Sequence, residues 1–297
     1  MKSVPVLICA SLLLIMAGCT TIGEHPAGTV TFTDDCGTTM EIAAHIERVV
    51  SLAPSETEIC CAVGGCPLLV GRTDYCTYPA EAAAVETVGG PRTFSVEKVI
   101  GLEPDLVLAT TVTDSIRVQE IRAAGLQVVV FRLETIEDIY RNMKVLGTLL
   151  GTSDDALLLV RDLSAREAEI ESASRGGEPV RVLYVLWDEP LYVAGNNTFQ
   201  NDLIVRAGGV NIMSDVEGYA TVSEESVVNR APQVIIASRE HTSGLARISD
   251  RLLSRPALAE VPAIKENRIC EMEPDLVNRP GPRVISALEM FSRCIHA

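Results

Sequence analysis

The chain has 297 residues, 47% of them apolar, and carries 40 acidic against 25 basic side chains for a net charge of −15. That length exceeds one average domain and is enough to fill two modest cores. The negative charge repels polyanions and sets nucleic acid aside as a partner.

Lys2 followed by the apolar run from Val4 to Met16 has the shape of a signal peptide, too short to span a bilayer comfortably. It closes on Met16-Ala17-Gly18-Cys19, which resembles the lipobox of secreted lipoproteins, with Cys19 as the lipidated residue. The expectation is a signal peptide over residues 1–18 and a lipid anchor and tether over residues 19–28, holding the protein at the outer face of the cytoplasmic membrane or in the periplasm. A plain secretory signal with Cys19 incidental is the alternative, and it too leaves the rest of the chain outside the cytoplasm.

That compartment permits disulfides among Cys36, Cys60, Cys61, Cys66, Cys76, Cys270 and Cys294, with the connectivity open. No C-x-x-C pair occurs, and Cys60 and Cys61 would point to different faces of a helix, so no metal site is expected.

Residues 29–32 and 38–42 flank Asp34-Asp35-Cys36-Gly37 and read as a hairpin. From Arg48 onward short β-branched runs alternate with helical patterns. Strands are expected at 49–52, 69–70, 106–109 and 128–131, and helices at 55–63, 96–102 and 115–124. Residues 136–174 show no strand signal. Gly151 and Ser153 mark a stop and a start, and apolar residues then recur at helical spacing, predicting a helix over 153–174 of roughly 30 Å. A second alternating set follows, with strands at 180–185, 234–237 and 269–272 and helices at 203–207 and 283–294.

Both sets contain a helix running into a Pro-x-strand junction, at Glu103-Pro104-Asp105-Leu106 and at Ala231-Pro232-Gln233-Val234. This internal echo predicts an α/β protein with two Rossmann-like lobes joined by a single long rigid helix. The lobes are expected at residues 29–135 and 179–297, with connecting helices over 136–178. Ligands of open α/β sheets sit beyond the carboxyl ends of the strands, so the cleft should be lined by post-strand loops. Those loops offer Ser55, Asp74, Tyr75, Arg92 and Phe94 in the first lobe, and Trp187, Tyr219, Arg239 and Asp275 in the second. Packing of the aromatics between loop and sheet is the competing explanation for Tyr75, Phe94, Trp187 and Tyr219.

The stretch Arg48-Val49-Val50-Ser51-Leu52-Ala53-Pro54-Ser55-Glu56-Thr57-Glu58 resembles the opening of the cobalamin- and siderophore-binding proteins of ABC importers. Val70-Gly71-Arg72-Thr73-Asp74-Tyr75, Val88-Gly89-Gly90, Glu103-Pro104-Asp105-Leu106-Val107 and Asn278-Arg279-Pro280-Gly281-Pro282-Arg283 continue the resemblance in order. It implies two lobes on a rigid helix, a cleft that closes only slightly on ligand, and a monomer that hands its ligand to a permease and ATPase complex. It also implies that one surface glutamate per lobe, here Glu97 and Glu225, pairs with permease arginines.

Aromatic loops with a few polar groups suit a flat amphipathic macrocycle, so the expected ligand is a corrinoid, either cobalamin or cobinamide. Two departures favour the smaller cobinamide. Leu276 follows Asp275 where cobalamin-binding members place tryptophan, and Tyr219 stands where a larger aromatic is usual. The second-lobe cysteine pair of such members falls on Ala207 and Ser292, so that disulfide is not expected. Arg72, Arg92, Arg239 and Arg279 support the alternative of a ferric siderophore, whose anionic oxygens want guanidinium donors. Four scattered histidines do not suit a bare metal ion, although His241 could cap a corrinoid cobalt.

An enzyme is the rival class, since such lobes also serve reductases and transferases. The chain has no G-x-G-x-x-G after its first strand, no P-loop, no G-x-S-x-G elbow and no H-E-x-x-H helix. Glu56 and Glu58, two apart on a helix, do not share a face for acid–base work. The expectation is binding without catalysis and without a cofactor. A surface adhesin would explain the anchor and the acidity, but not the paired lobes. Asn196-Asn197-Thr198 fits a glycosylation sequon that depends on the host.

Overall fold

The structure, a computed structural model, describes residues 23–24, 28–174, 176–239 and 247–297. The apolar leader, Cys19 and His241 lie outside the described residues. Among the described residues no helix is long and apolar enough to cross a membrane.

Strand β1 (Gly23–Glu24) adds to the expected hairpin, β2 (Thr29–Thr33) with β3 (Thr39–Ala43). Its turn is closed by Asp34, whose Oδ1 accepts from the backbone N–H groups of Cys36 at 3.0 Å and Thr38 at 2.9 Å. The same carboxylate pairs with Arg122, fastening the hairpin to the first lobe.

That lobe alternates β4 (Val49–Ser51), α1 (Pro54–Ala62), β5 (Leu69–Thr73), α2 (Ala80–Ala83), β6 (Thr87–Gly89), α3 (Val96–Gly101), β7 (Leu106–Thr110), α4 (Ser115–Ala123) and β8 (Val128–Phe131). The sheet order is β6-β5-β4-β7-β8 with every pairing parallel. All residues of β4, β7 and β8 are buried, as parallel strands covered on both faces require.

Two helices lead out of it, α5 (Ile136–Leu149) and α6 (Ser153–Ser174). Helix α5 starts at a capping box between Thr135 and Asp138. The 22 residues of α6 span about 33 Å. Gly147 lets the two helices close, since a Cβ there would lie 2.4 Å from the Ala156 methyl.

The second lobe contains β9 (Val180–Asp188), β10 (Leu191–Ala194), α7 (Phe199–Arg206), β11 (Gly209–Asn211), β12 (Tyr219–Thr221), α8 (Glu224–Arg230), β13 (Val234–Ser238), α9 (Ile248–Leu253), α10 (Pro262–Lys265), β14 (Ile269–Met272), α11 (Pro274–Val277) and α12 (Val284–His296). The sheet runs β12-β10-β9-β13-β14, with β11 beside the start of β9. Here the plan of the first lobe is altered. Strands β10 and β12 pair antiparallel, and β9 runs to Asp188, past its pairing with β13, to join them.

The Pro-x-strand echo is real at the level of atoms. Glu103 and Ala231, after α3 and α8, both take a left-handed conformation, with φ of 46° and 45°. Arg48 donates from Nη2 to the Leu102 carbonyl at 2.6 Å, and Arg181 donates from Nε to the Ala231 carbonyl at 3.0 Å. In return Asp105 accepts from the Arg48 backbone N–H and Gln233 from that of Arg181, both at 2.9 Å. Each lobe therefore ties the start of its first strand to its pre-proline helix in the same way.

The described cysteines form Cys61–Cys66 and Cys270–Cys294, leaving Cys36, Cys60 and Cys76 free. Cys60 is fully buried in the core, while its neighbour Cys61 is part-buried at the core's edge. The second lobe thus has a disulfide, but not at Ala207 and Ser292. Ser292 instead shares a hydrogen bond with Ser174, and the Ala207 carbonyl lies 2.8 Å from His296 Nε2.

Candidate ligand-binding cleft

Loops at the carboxyl ends of the strands converge on a cavity of about 570 Å³ between the lobes. The first-lobe strand order reverses at β4, with β5 on one side and β7 on the other. The loops after β4 and β7, from Leu52 to Ser55 and from Thr110 to Thr113, form the wall at that switch point. Glu134, between β8 and α5, closes one corner.

Ser55, Tyr75, Arg92, Tyr219 and Asp275 line this cavity, as does Arg279. Four other residues expected at the cleft are not among the lining residues. Phe94 is fully buried in the first-lobe core, where Gly89 brings the backbone close and the Arg117 guanidinium lies 5.6 Å from the ring centroid. Trp187 is 45% exposed and sits on the part of β9 that leaves the parallel sheet for the ribbon with β10; its indole Nε1 donates to the Glu189 carbonyl at 2.7 Å. Asp74 is turned to the sheet edge, where it accepts from the Thr87 hydroxyl. Arg239 is 58% exposed and lies 3.9 Å from Glu273.

The second-lobe wall is a connected set of hydrogen bonds. Tyr219 donates to Gln200 Oε1 at 2.8 Å, and Gln200 Nε2 donates to the Val277 carbonyl at 2.9 Å and to Asn278 Oδ1 at 3.1 Å. The same Oδ1 accepts from Tyr184 at 2.9 Å, and Asn278 Nδ2 reaches Ser238 at 2.7 Å. Burial pushes the Tyr219 hydroxyl up to about 12, so it stays a neutral donor. Gln200 and Asn278 were not anticipated. Asn278 stands in a recognisable block, whereas Gln200 belongs to the first turn of α7, which its sequence pattern does not reveal.

Beside this wall the lobes meet through charge. Glu58 on α1 receives Arg283 in two-pronged fashion, at 2.8 and 2.7 Å, and Arg279 lies 3.8 Å away. Arg279 also pairs with Asp275 at 2.8 Å, and the Arg283 guanidinium stacks 4.3 Å above Tyr78. Burial raises the Glu58 carboxyl above its ordinary range, against the pull of both arginines. Glu56 faces elsewhere. It accepts from Asn142 Nδ2 at 2.8 Å, and burial raises it to about 8.

Glu97 and Glu225 occupy matching positions, each the second residue of its helix after a serine cap, Ser95 or Ser223. Both are exposed. The helix-start backbone and the Ser95 hydroxyl hold Glu97 below the usual carboxylate range. Glu224 is distinguished from Glu225 by its ion pair with Arg255 at 3.0 Å.

Two α/β lobes on a helical backbone with a cleft at their strand ends define a solute-binding protein. The family model described as "Periplasmic binding protein" matches residues 49–276, and the chain belongs to that family. It is 30% identical over 275 residues to the ABC transporter substrate-binding lipoprotein YvrC of Bacillus subtilis, covering 90% of this chain and 85% of that protein. The vitamin B12-binding protein of Vibrio cholerae is 30% identical over 245 residues, covering 82% and 87%. A crystal structure of the protein of that name, BtuF of Vibrio cholerae, matches with a TM-score of 0.75 at 28% identity over 84% of this chain and 97% of its own. The periplasmic heme-binding protein BhuT, in complex with two hemes, gives 0.76 at 26% identity over 84% and 97%.

Proposed function

We propose that this protein is the extracytoplasmic substrate-binding component of an ABC importer, and that it captures a corrinoid without transforming it. The observation that carries the reading is the interlobe cavity, with Tyr75 on one side and Tyr219 on the other, walled by hydroxyls and amides. Such a lining gives a flat macrocycle ring contacts on its faces and hydrogen bonds at its amide rim. Its volume lies within the roughly 300–1,000 Å³ of small-molecule sites. The relatives named for vitamin B12 support the corrinoid, and the name of the lipoprotein relative supports anchoring through Cys19. Glu97 and Glu225, exposed at matching helix starts, are assigned to permease docking.

Calorimetric titration of the leaderless protein with cyanocobalamin, dicyanocobinamide and a ferric catecholate siderophore tests this. One-to-one binding of a corrinoid is expected; siderophore binding alone moves the function to iron acquisition. In the same preparation, alanine at both Glu97 and Glu225 should keep ligand affinity while weakening capture by the cognate permease. Unchanged capture removes the docking assignment, and turnover of any bound ligand removes the binding-only reading.

A further inference from the structure

The cavity is lined by four charged side chains, two of each sign: Arg92, Arg279, Glu134 and Asp275. Their charges are not equally available. Arg279 is bound to Asp275 at 2.8 Å and flanked by Glu58 at 3.8 Å, so its charge is already answered. Tyr219 donates to Gln200, Gln200 donates to Asn278 and to the Val277 carbonyl, and Asn278 donates to the Ser238 hydroxyl. Arg92 is exposed at the rim, with no ion pair among the described residues. Glu134 has no countercharge among the described residues, and its field is one of those that oppose ionisation of Tyr219.

Glu134 is also held in place. Its backbone N–H donates to Asp138 Oδ2 at 3.1 Å, inside the capping box that starts α5. That bond uses the main chain, and the part-buried Glu134 contributes to the cavity lining. A ligand presenting carboxylates to this corner meets a like charge, while one presenting neutral amides meets an acceptor.

We infer that Glu134 is a specificity-determining residue, selecting macrocycles rimmed by neutral amides over those rimmed by carboxylates. The inference rests on the proposed corrinoid reading and narrows it: hemes, with their propionates, and anionic siderophores are disfavoured by charge rather than by shape. Arg92 alone, exposed to solvent, does not compensate, because screening weakens its exposed charge more than that of the part-buried Glu134.

The test compares dicyanocobinamide, dicyanocobyrinic acid (the same ring with carboxyls in place of amides) and hemin, each titrated into the wild type, Glu134→Gln and Glu134→Lys. Both substitutions spare the main-chain bond to Asp138. The wild type should prefer cobinamide over the acid by on the order of a hundredfold, and Glu134→Gln should tighten the acid by about tenfold, Glu134→Lys by more. Cobinamide, whose amides lose their acceptor, should weaken in Glu134→Lys while the acid tightens, so that the preference for cobinamide shrinks with each substitution. Equal affinity of the wild type for both corrinoids, or the same acid affinity in all three proteins, overturns the inference and leaves the functional reading standing. Failure of cobinamide to bind overturns the functional reading instead. Selectivity is then read from hemin, and an affinity that does not rise from wild type to Glu134→Lys overturns the inference as well.

Discussion

The first-lobe sheet is wholly parallel and meets the cavity through short turns, so much of its wall is backbone and threonine hydroxyls, with Ser55, Tyr75, Arg92 and Glu134 carried on those post-strand loops. The second-lobe sheet adds the antiparallel strands β10 and β12, and its wall is made of side chains, with Tyr219 standing on β12 itself and hydrogen-bonded to Gln200 at the start of α7. One lobe thus presents a surface fixed by strand ends, the other a surface fixed by a side-chain network. The difference teaches how ligand choice can be altered: in the second lobe by substitutions that remake the network, and in the first by exchanging single side chains on turns that the sheet behind them holds in place.

The strongest way to break this pairing of unlike lobes is at the charge contact between them. Glu58→Ala leaves the part-buried Arg283 guanidinium without its two-pronged partner, and the expected loss is about 3 kcal/mol of stability by urea unfolding. Glu58→Gln, keeping one hydrogen bond, should lose less. A loss below about 1 kcal/mol for Glu58→Ala would mean that the pair is worth no more than an exposed one and that the helical connection dominates.

A second effect belongs to the first lobe alone. Glu56 Oε2 and Asn142 Oδ1 are both buried without a partner, and that burial favours the neutral, protonated form of Glu56. Its folded pKa of about 8 lies above the ordinary carboxyl value of 4.5, so the folded state holds a proton that the unfolded state has released. Stability from this group is fully present below the unfolded pKa and is lost as pH rises towards 8, at a slope of at most about 1.4 kcal/mol per pH unit. Glu56→Gln should flatten the curve between pH 5 and 8 relative to wild type, with its gain largest at the alkaline end. A difference between the two proteins that does not change with pH would place the ionised form in the folded state.

What could be read from the sequence follows the same division. The expected first-lobe positions fall on β4, β7 and β8 because parallel, doubly covered strands leave a continuous apolar signature, and of β5 only the apolar start at Leu69-Val70 is legible. The long helix is legible from Ser153 to Ser174 for the equivalent reason of period. In the second lobe β10, β11 and β12 are not set off by a separate turn pattern, and the short edge strand β6 of the first lobe escapes in the same way. The second-lobe gap accounts for Trp187, whereas Phe94 has a separate cause. Trp187 reads as a post-strand residue only while β9 is taken to stop at Val185, and Phe94 reads as a cleft aromatic only while its loop is taken to face out.

The smallest effect separates two aromatic rings of the second lobe. Tyr192 and Tyr219 stack with centroids 6.3 Å apart, and Tyr192 pairs with Trp187 across the ribbon, so a row of rings leads away from the cavity. Only Tyr219 belongs to the cavity wall. A ligand confined to the cavity should feel Tyr219→Ala as a loss of about tenfold in affinity, the scale of one aromatic contact, and should feel Trp187→Ala by less than about twofold. Equal losses would mean that the ligand reaches along the ribbon, as a corrinoid carrying a bulky nucleotide tail could and a cobinamide could not. Comparing cyanocobalamin with cobinamide on the Trp187→Ala protein therefore decides whether the antiparallel ribbon is part of the binding surface or only its support.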